Sequence, residues 1–344
     1  MMKRKDFLHK GLTAGALLGS SAYISATGNK NEDQGGEEKN LFQDDLVIEK
    51  AREGRPHEGK ILAAIQPHSD DIPLFAGGTV AKLIHEGYKG YLIRTSNDEK
   101  AGQGDTVGEV IVNNEKDNVA VARALGLEKT YDLYNRNHQM DEMHFQDLKG
   151  RLIFLFRMLK VDTVVSYDPW AMYEENPDHY ITARAVEAAR WMAGNRRNYP
   201  EHFDAGLEPK SVREMYYFAR YQNKSNQHVN RIVDISEVID KKVEANMANV
   251  TQGPGGENGS RLRRRLAEQG KKLSILGEND QTANFNYIKH FLLDIDSERL
   301  RWGMPSDKKV GEKYGLAWAE RIHYIGPAAA NELDKYIEAN AEPI

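Results

Sequence analysis

His68, Asp70 and Asp71 stand almost side by side, directly behind Pro67 and the short apolar run Ile61–Ile65. That run reads as a buried strand. Ligands of open α/β sheets gather just beyond the carboxyl ends of such strands. An imidazole and two adjacent carboxylates placed there can hold a metal ion and still leave one carboxylate free to move a proton. On this reading His68 and Asp71 are ligands and Asp70 is the base. A zinc site that does chemistry keeps three protein ligands and one open position for water, so a third ligand is expected from the end of another strand. His179 is the candidate. It lies in Asn176-Pro177-Asp178-His179, where a helix begins, after the strand Asp162–Tyr167 and the loop opened by Asp168-Pro169-Trp170. His323, late in the chain, is a second candidate, whereas His138 lies in a loop with no acidic partner motif.

The elements that must position these residues alternate in type. Strands are expected at Ile61–Ile65, Gly90–Thr95, Thr130–Tyr134, Asp162–Tyr167, Val212–Ala219 and Arg231–Ile235. Helices are expected at Val80–Glu86, opened by Gly77-Gly78-Thr79, then at Glu109–Leu125, Phe145–Leu159 and Asp178–Ala193, with a last one from Ser236 to about Asn249. Alternating β and α elements with short connections imply an α/β fold. The form expected is a three-layer α/β/α sandwich around a mainly parallel, Rossmann-like sheet. No dinucleotide fingerprint is present, because Gly77-Gly78 lacks the G-x-G-x-x-G frame. Gln252–Ser260 reads as a loop, and Arg261, Arg263, Arg264 and Arg265 behind it as a solvated helix face.

Composition narrows the chemistry further. The 344 residues carry a net charge of −5, which gives no reason to expect nucleic-acid binding. There is no cysteine, so disulfides, a thiol nucleophile and a thiolate zinc site are excluded. Residues 1–26 read as an export signal. Lys3-Arg4-Lys5 is its basic part, Gly11–Ile24 its weakly apolar part, and Arg4-Lys5-Asp6-Phe7-Leu8 is similar to a twin-arginine signal. The apolar stretch is shorter than the ~20 residues a membrane span needs. Export to the periplasm is therefore expected, with residues 27–58 as a linker, 59–330 as the main domain and 331–344 as a C-terminal helix or tail.

Pro67-His68-Ser69-Asp70-Asp71 followed by Gly77-Gly78-Thr79 resembles the A-H-P-D-D-E…G-G-T signature of the LmbE/PIG-L family of zinc-dependent N-acetylglucosaminyl deacetylases. Asn176-Pro177-Asp178-His179 is similar to that family's H-P-D-H motif. Val212-Arg213-Glu214-Met215-Tyr216-Tyr217-Phe218, Val233-Asp234-Ile235 and Lys241-Lys242 resemble its downstream segments. The resemblance runs from about Gly59 to Asn249, with an echo in Tyr314–Tyr324. It implies an LmbE-like deacetylase domain, Zn2+ held by His68, Asp71 and His179, and Asp70 as general base. It also implies an N-acetylated amino sugar, or a conjugate of one, as the small-molecule substrate. Asn176 takes the place of a histidine to which the family assigns transition-state stabilisation, and Asp178 is expected to orient a neighbouring side chain. Ser69 replaces the family proline, which should alter only the turn. Ile72 replaces an acidic residue, and Asn113 and Asn249 stand where relatives often carry Arg and His. Trp170 and Tyr173 offer flat faces on which a sugar ring could stack. The alternatives are a metal-dependent amidase for another N-acyl compound and a carbohydrate-binding protein without catalysis.

Overall fold

A computed structural model describes residues 46–222, 226–295, 305–327 and 332–342; the expected export signal lies outside them. Eight strands make one sheet: β1 (Val47–Glu49), β2 (Ile61–Gln66), β3 (Lys89–Ser96), β4 (Lys129–Asn135), β5 (Thr163–Tyr167), β6 (Glu214–Phe218), β7 (Arg231–Asp234) and β8 (Ala319–Ile325). Their order is β1-β7-β8-β6-β5-β2-β3-β4. All pairings are parallel except the two made by β8. The sheet is therefore mostly parallel, as the alternation of elements implies. β1 lies in the stretch assigned to a linker, and it pairs in parallel with β7 at the sheet edge.

β2 shows why the sequence builds three layers. A strand covered on both faces reads as a continuous apolar run, and β2 is such a run. Leu62 and Ala64 enter one core with residues of α1 (Asp71–Phe75), α2 (Gly77–His85), α3 (Val107–Ala124) and α7 (Ile239–Ala248). Ala63 and Ile65 enter the other, against α4 (Phe145–Leu159) and α5 (Pro177–Ala193). A short α6 (Glu201–Asp204) lies between α5 and β6, and α8 (Asn258–Glu268) carries the arginine run. Within that run Arg261 pairs with Glu257, and Arg263 and Arg264 with Asp280.

Local chemistry sets the helix starts. Thr106 and Glu109 form a reciprocal capping box on α3. Asn176 caps α5 through its side chain, with Pro177 in the first helical position. The Gly-Gly-Thr motif has a packing role: a Cβ on Gly78 would stand 2.6 Å from the Ile235 side chain. The buried amides of that helix start donate to the Glu320 carboxylate, from Gly78 at 2.9 Å and Thr79 at 2.8 Å. Lys242 neutralises Glu320 at 2.6 Å and also reaches Asp307. So α2 is tied to the antiparallel strand β8 by a buried charge pair that capping rules alone do not anticipate. Among the described residues no helix is long and apolar enough to cross a membrane.

Candidate metal centre and catalytic cleft

The chain runs outward from β2 through β3 to β4, then returns to place β5 on the other side of β2. The strand order thus reverses between β2 and β5, the place where open α/β sheets bind ligands. The loop after β2 carries His68, Asp70 and Asp71. The loop after β5 leads to Asn176, Asp178 and His179 at the start of α5. Parallel pairing of Leu62 with Thr163 and Ala64 with Val165 brings both loops to the same end of the sheet.

Three side chains converge there. His68 Nδ1 lies 3.1 Å from His179 Nε2 and 3.3 Å from Asp71 Oδ2, and His179 Nε2 lies 3.5 Å from Asp71 Oδ1. Ligand atoms at zinc–nitrogen and zinc–oxygen bond lengths stand about 3.3 Å apart in a tetrahedral shell, and each of these contacts is close to that spacing, with His68 facing one Asp71 oxygen and His179 the other. Its donors are two imidazoles and a carboxylate, all buried, which suits a borderline divalent ion.

Each member is held from behind. Tyr167, the last residue of β5, donates its hydroxyl to Asp71 Oδ1 at 2.6 Å, and its ring stacks on His179 with centroids 4.3 Å apart. The His68 backbone N–H donates to Asp71 Oδ2 at 2.9 Å. On the far side of the His68 ring, Nε2 lies 3.0 Å from Asp178 Oδ2. That oxygen also accepts from Asn137 Nδ2 at 2.9 Å and from the His138 backbone at 2.8 Å. His179 Nδ1 lies 3.0 Å from Glu174 Oε2. A carboxylate hydrogen-bonded behind an imidazole, as Asp178 is behind His68, is the usual support of a metal-bound histidine, whereas Glu174 lies close to His179 Nδ1 without the geometry of a hydrogen bond.

The electrostatics match. Burial disfavours a charged His68, but the bonds to Asp178 and Asp71 outweigh it and raise its pKa well above the usual value. Burial works against ionised Asp71 too, yet His179, His68 and the Tyr167 hydroxyl hold its pKa near about 2. Asp70 differs: burial and the adjacent Asp71 charge push it up to about 7. No side chain of the described residues donates to its carboxylate, and it lines the cleft beside the triangle. Two neighbouring carboxylates with pKa values driven apart are the arrangement expected of one ligand and one proton acceptor.

The cleft is open to solvent and encloses about 190 Å³. His68, Asp70, Asp71, Asn176 and His179 line it together, so the structure brings the expected residues to one place. Asp178 stands behind His68 and not in the cleft wall. Asn176 spends Oδ1 on the Asp178 amide at 3.0 Å, which leaves its NH2 for the cleft. His323 is elsewhere: Nδ1 bonds Asp168 at 3.0 Å, away from the triangle.

Several contacts were not anticipated. Ser69 does more than alter a turn. Its N–H donates to Asp98 at 3.0 Å, and its hydroxyl accepts from Gln252 at 2.8 Å. A proline could make neither bond. Gln252 thus ties the loop before α8 across the motif, and Gly253 passes so close that a Cβ would stand 3.0 Å from Asp70 Oδ2. Asn249, with its amide oriented to donate to Asp117 at 3.1 Å, accepts from the Asp70 N–H at 3.1 Å. Asn113 bonds the backbone of Gln103 and the Lys116 ammonium, whereas its neighbour Asn114 is buried under the motif. Ile72 is fully buried in the core. His138 and Arg220 also face the cleft. Tyr167 and Arg220 sit at or just past the ends of parallel strands, and that position was the available clue.

Residues 63–190 match the family model described as PIG-L: GlcNAc-PI de-N-acetylase. The chain is 27% identical over 201 residues to a diacetylchitobiose deacetylase of Thermococcus kodakarensis, covering 57% of this chain and 71% of that protein. It is 22% identical over 243 residues to a 1D-myo-inositol 2-acetamido-2-deoxy-alpha-D-glucopyranoside deacetylase of a Mycobacterium species, over 58% and 76% of the two chains. Among solved structures, N,N'-diacetylchitobiose deacetylase of Pyrococcus horikoshii superposes with a TM-score of 0.57 at 21% identity, over 78% and 84% of the chains. A 4-carboxy-2-hydroxymuconate hydratase of Pseudomonas putida gives 0.54 at 16% identity, over 79% and 98%. The fold is thus shared by deacetylases and by a hydratase, and it does not choose between reactions. The segment from Ala63 to Arg190 that matches the PIG-L family model holds all six expected site residues.

Proposed function

We propose that this protein is a metal-dependent hydrolase that removes an N-acetyl group from an amino sugar or its conjugate. The observation that carries the reading is the triangle of His68 Nδ1, His179 Nε2 and the Asp71 carboxylate with Asp70 uncommitted beside it. The names of the similar deacetylases support it. His68, Asp71 and His179 would hold the ion, zinc in this reading. When bound, such an ion supplies Lewis-acid polarisation of the amide oxygen and a more acidic water.

The remaining work falls to the chain. Asp70, poised near neutrality, accepts the proton of the attacking water. The NH2 of Asn176 donates to the oxygen that gains charge as the amide carbon becomes tetrahedral, a contact typically worth about 2.7–4 kcal/mol. Asn176 cannot deliver a proton, so Asp70 returns the one it took to the leaving amine. Asp178 fixes the tautomer and tilt of His68. Gln252 and Gly253 close one side of the cleft over Asp70. The N-terminal segment supports export to the periplasm, which cell fractionation would test.

The test is acetate release from N-acetylglucosamine, its β-1,4-linked dimer and inositol- or lipid-linked forms, with and without zinc. Asp70→Asn is expected to keep the metal and lose about 10²–10⁴ of the turnover. Full activity in that variant would refute the role of Asp70. Silence across the panel with metal bound would turn the reading towards another N-acyl substrate.

A further inference from the structure

α5 buries one side against the sheet through Thr182, Ala185, Val186, Ala189 and Ala193. Its outer side carries Arg184, Glu187, Ala188 and Trp191, spaced so that they form one stripe along the helix. Pro169 and Trp170, from the loop after β5, face this stripe and make a groove of about 340 Å³. Two indoles border it, and both are wet: Trp170 is 50% exposed and Trp191 68%. Ala188, with the smallest side chain among them, forms the floor. Large exposed aromatic surface at the rim of a concavity marks a binding site more often than a folding need.

The Trp170 face is preorganised. Its backbone N–H donates to Asp168 Oδ1 at 2.9 Å, and Asp168 Oδ2 lies 3.0 Å from His323 Nδ1. The ring rests edge-on against Tyr217 at 5.9 Å and leans on His323 at 5.5 Å. Glu187 is fixed by Tyr217 and Arg190. Arg184 is exposed at the rim, where its guanidinium can donate. The groove is lined by one cation and one anion and holds no cluster of like charges to select an ionic ligand. Flat apolar faces with hydrogen-bonding groups at their edges match a pyranose ring, which is apolar across its C–H faces and polar around its rim.

The groove also has a defined relation to the cleft. A further cavity, walled by Tyr173 and Glu174, shares His179 and Arg220 with the catalytic cleft, and shares Pro169 and Arg184 with the groove. The groove is therefore one cavity removed from the metal triangle.

We infer that the Trp170–Trp191 groove binds a neutral sugar ring of a glycan whose amino-sugar end occupies the catalytic cleft. This rests on the proposed function and adds that the substrate is longer than one sugar. Trp191 becomes a specificity-determining residue that touches no reacting atom.

The experiment uses the full chain, freed of metal by a chelator so that binding is read without turnover. Tryptophan fluorescence is titrated with N-acetylglucosamine and with its β-1,4-linked tetramer. The tetramer is expected to bind about tenfold tighter than the monosaccharide. Trp191→Ala should remove that gain and leave monosaccharide binding unchanged, and Trp191→Tyr should restore much of it. With metal, Trp191→Ala should raise KM for the tetramer alone and leave kcat in place. Equal affinity for monomer and tetramer, or equal weakening of both by Trp191→Ala, overturns the inference. So does a Trp191-dependent association with phosphatidylcholine vesicles without tetramer binding, because the face would then be a lipid contact. Tetramer binding lost in Trp191→Ala with no acetate released from any amino sugar would sink the deacetylase reading and leave the groove standing. Acetate release indifferent to Trp191 would do the reverse.

Discussion

Asp178 is buried and has no place in the cleft wall, yet its replacement should be felt at the metal. Three donors converge on Oδ2: His68 Nε2 at 3.0 Å, Asn137 Nδ2 at 2.9 Å and the His138 N–H at 2.8 Å. In Asp178→Asn the side-chain carbonyl can occupy that position and keep all three contacts, since the other oxygen meets only the Met140 N–H at 3.4 Å. Shape and His68 tautomer survive, and what is lost is the charge together with the long Met140 contact, where the new NH2 faces a donor. A hydrogen bond to an ionised acceptor is about twice as strong as a neutral one, a difference of about 1–1.5 kcal/mol. At about 1.4 kcal/mol per decade, zinc should bind roughly five- to tenfold more weakly. Asp178→Ala removes the acceptor altogether and should cost about a hundredfold, the upper end for partners behind metal ligands. It also orphans all four donors that Asp178 accepts from, so its melting temperature should fall well below that of Asp178→Asn. Competition against a chromophoric chelator at about pH 8 reads both affinities, at a pH where proton release by the ligands is favoured. If folded Asp178→Ala binds zinc within twofold of the parent chain, His68 is not oriented by Asp178 and the ligand assignment fails.

Other consequences can be checked with the same protein. Saturating zinc at about a hundred times its Kd should stabilise the fold by about 2.7 kcal/mol, or roughly 5–10 °C in melting temperature for a domain of this size; an unmoved melting curve would contradict the triangle. Gly253→Ala forces a side chain onto a backbone at φ +81 and into contact with Asp70. It should cost about 1–2 kcal/mol of stability and lower kcat ten- to hundredfold without weakening zinc binding, as kinetics and chelator competition would show. Glu49→Gln tests the edge strand. Burial works against ionised Glu49, but Lys82 and Arg231 outweigh it and hold its pKa below 4.5 in the fold. Because the folded pKa is the lower one, its stabilisation is full above the unfolded value and fades as the pH falls through the folded value. The variant should therefore lose about 3 kcal/mol near neutrality, and the gap should begin to narrow as the pH falls below about 4.5 in denaturant titrations.

The residues that do the chemistry could be read from the chain because the rules that place them are local. A buried apolar run, a polar motif at its carboxyl end and an Asn-Pro pair opening a helix each involve only a few consecutive residues. Those signals put His68, Asp70 and Asp71 after one strand and His179 at the start of a helix. The β–α alternation, equally local, implied the parallel sheet and its two covering layers. Lateral strand order is different, because it is fixed by contacts between residues far apart in sequence. Only folding put β5 beside β2, closed the triangle to 3.1–3.5 Å and brought Tyr167 onto Asp71. The same holds for β8, whose Glu320 caps α2 from 241 residues away through Thr79, and for Ser69, whose partners Asp98 and Gln252 come from two other loops. Sequence by itself determined which groups could act and which ends of which elements carry them. Tertiary structure decided which groups meet, because a side chain's partners are set by packing across the sheet and not by its neighbours along the chain.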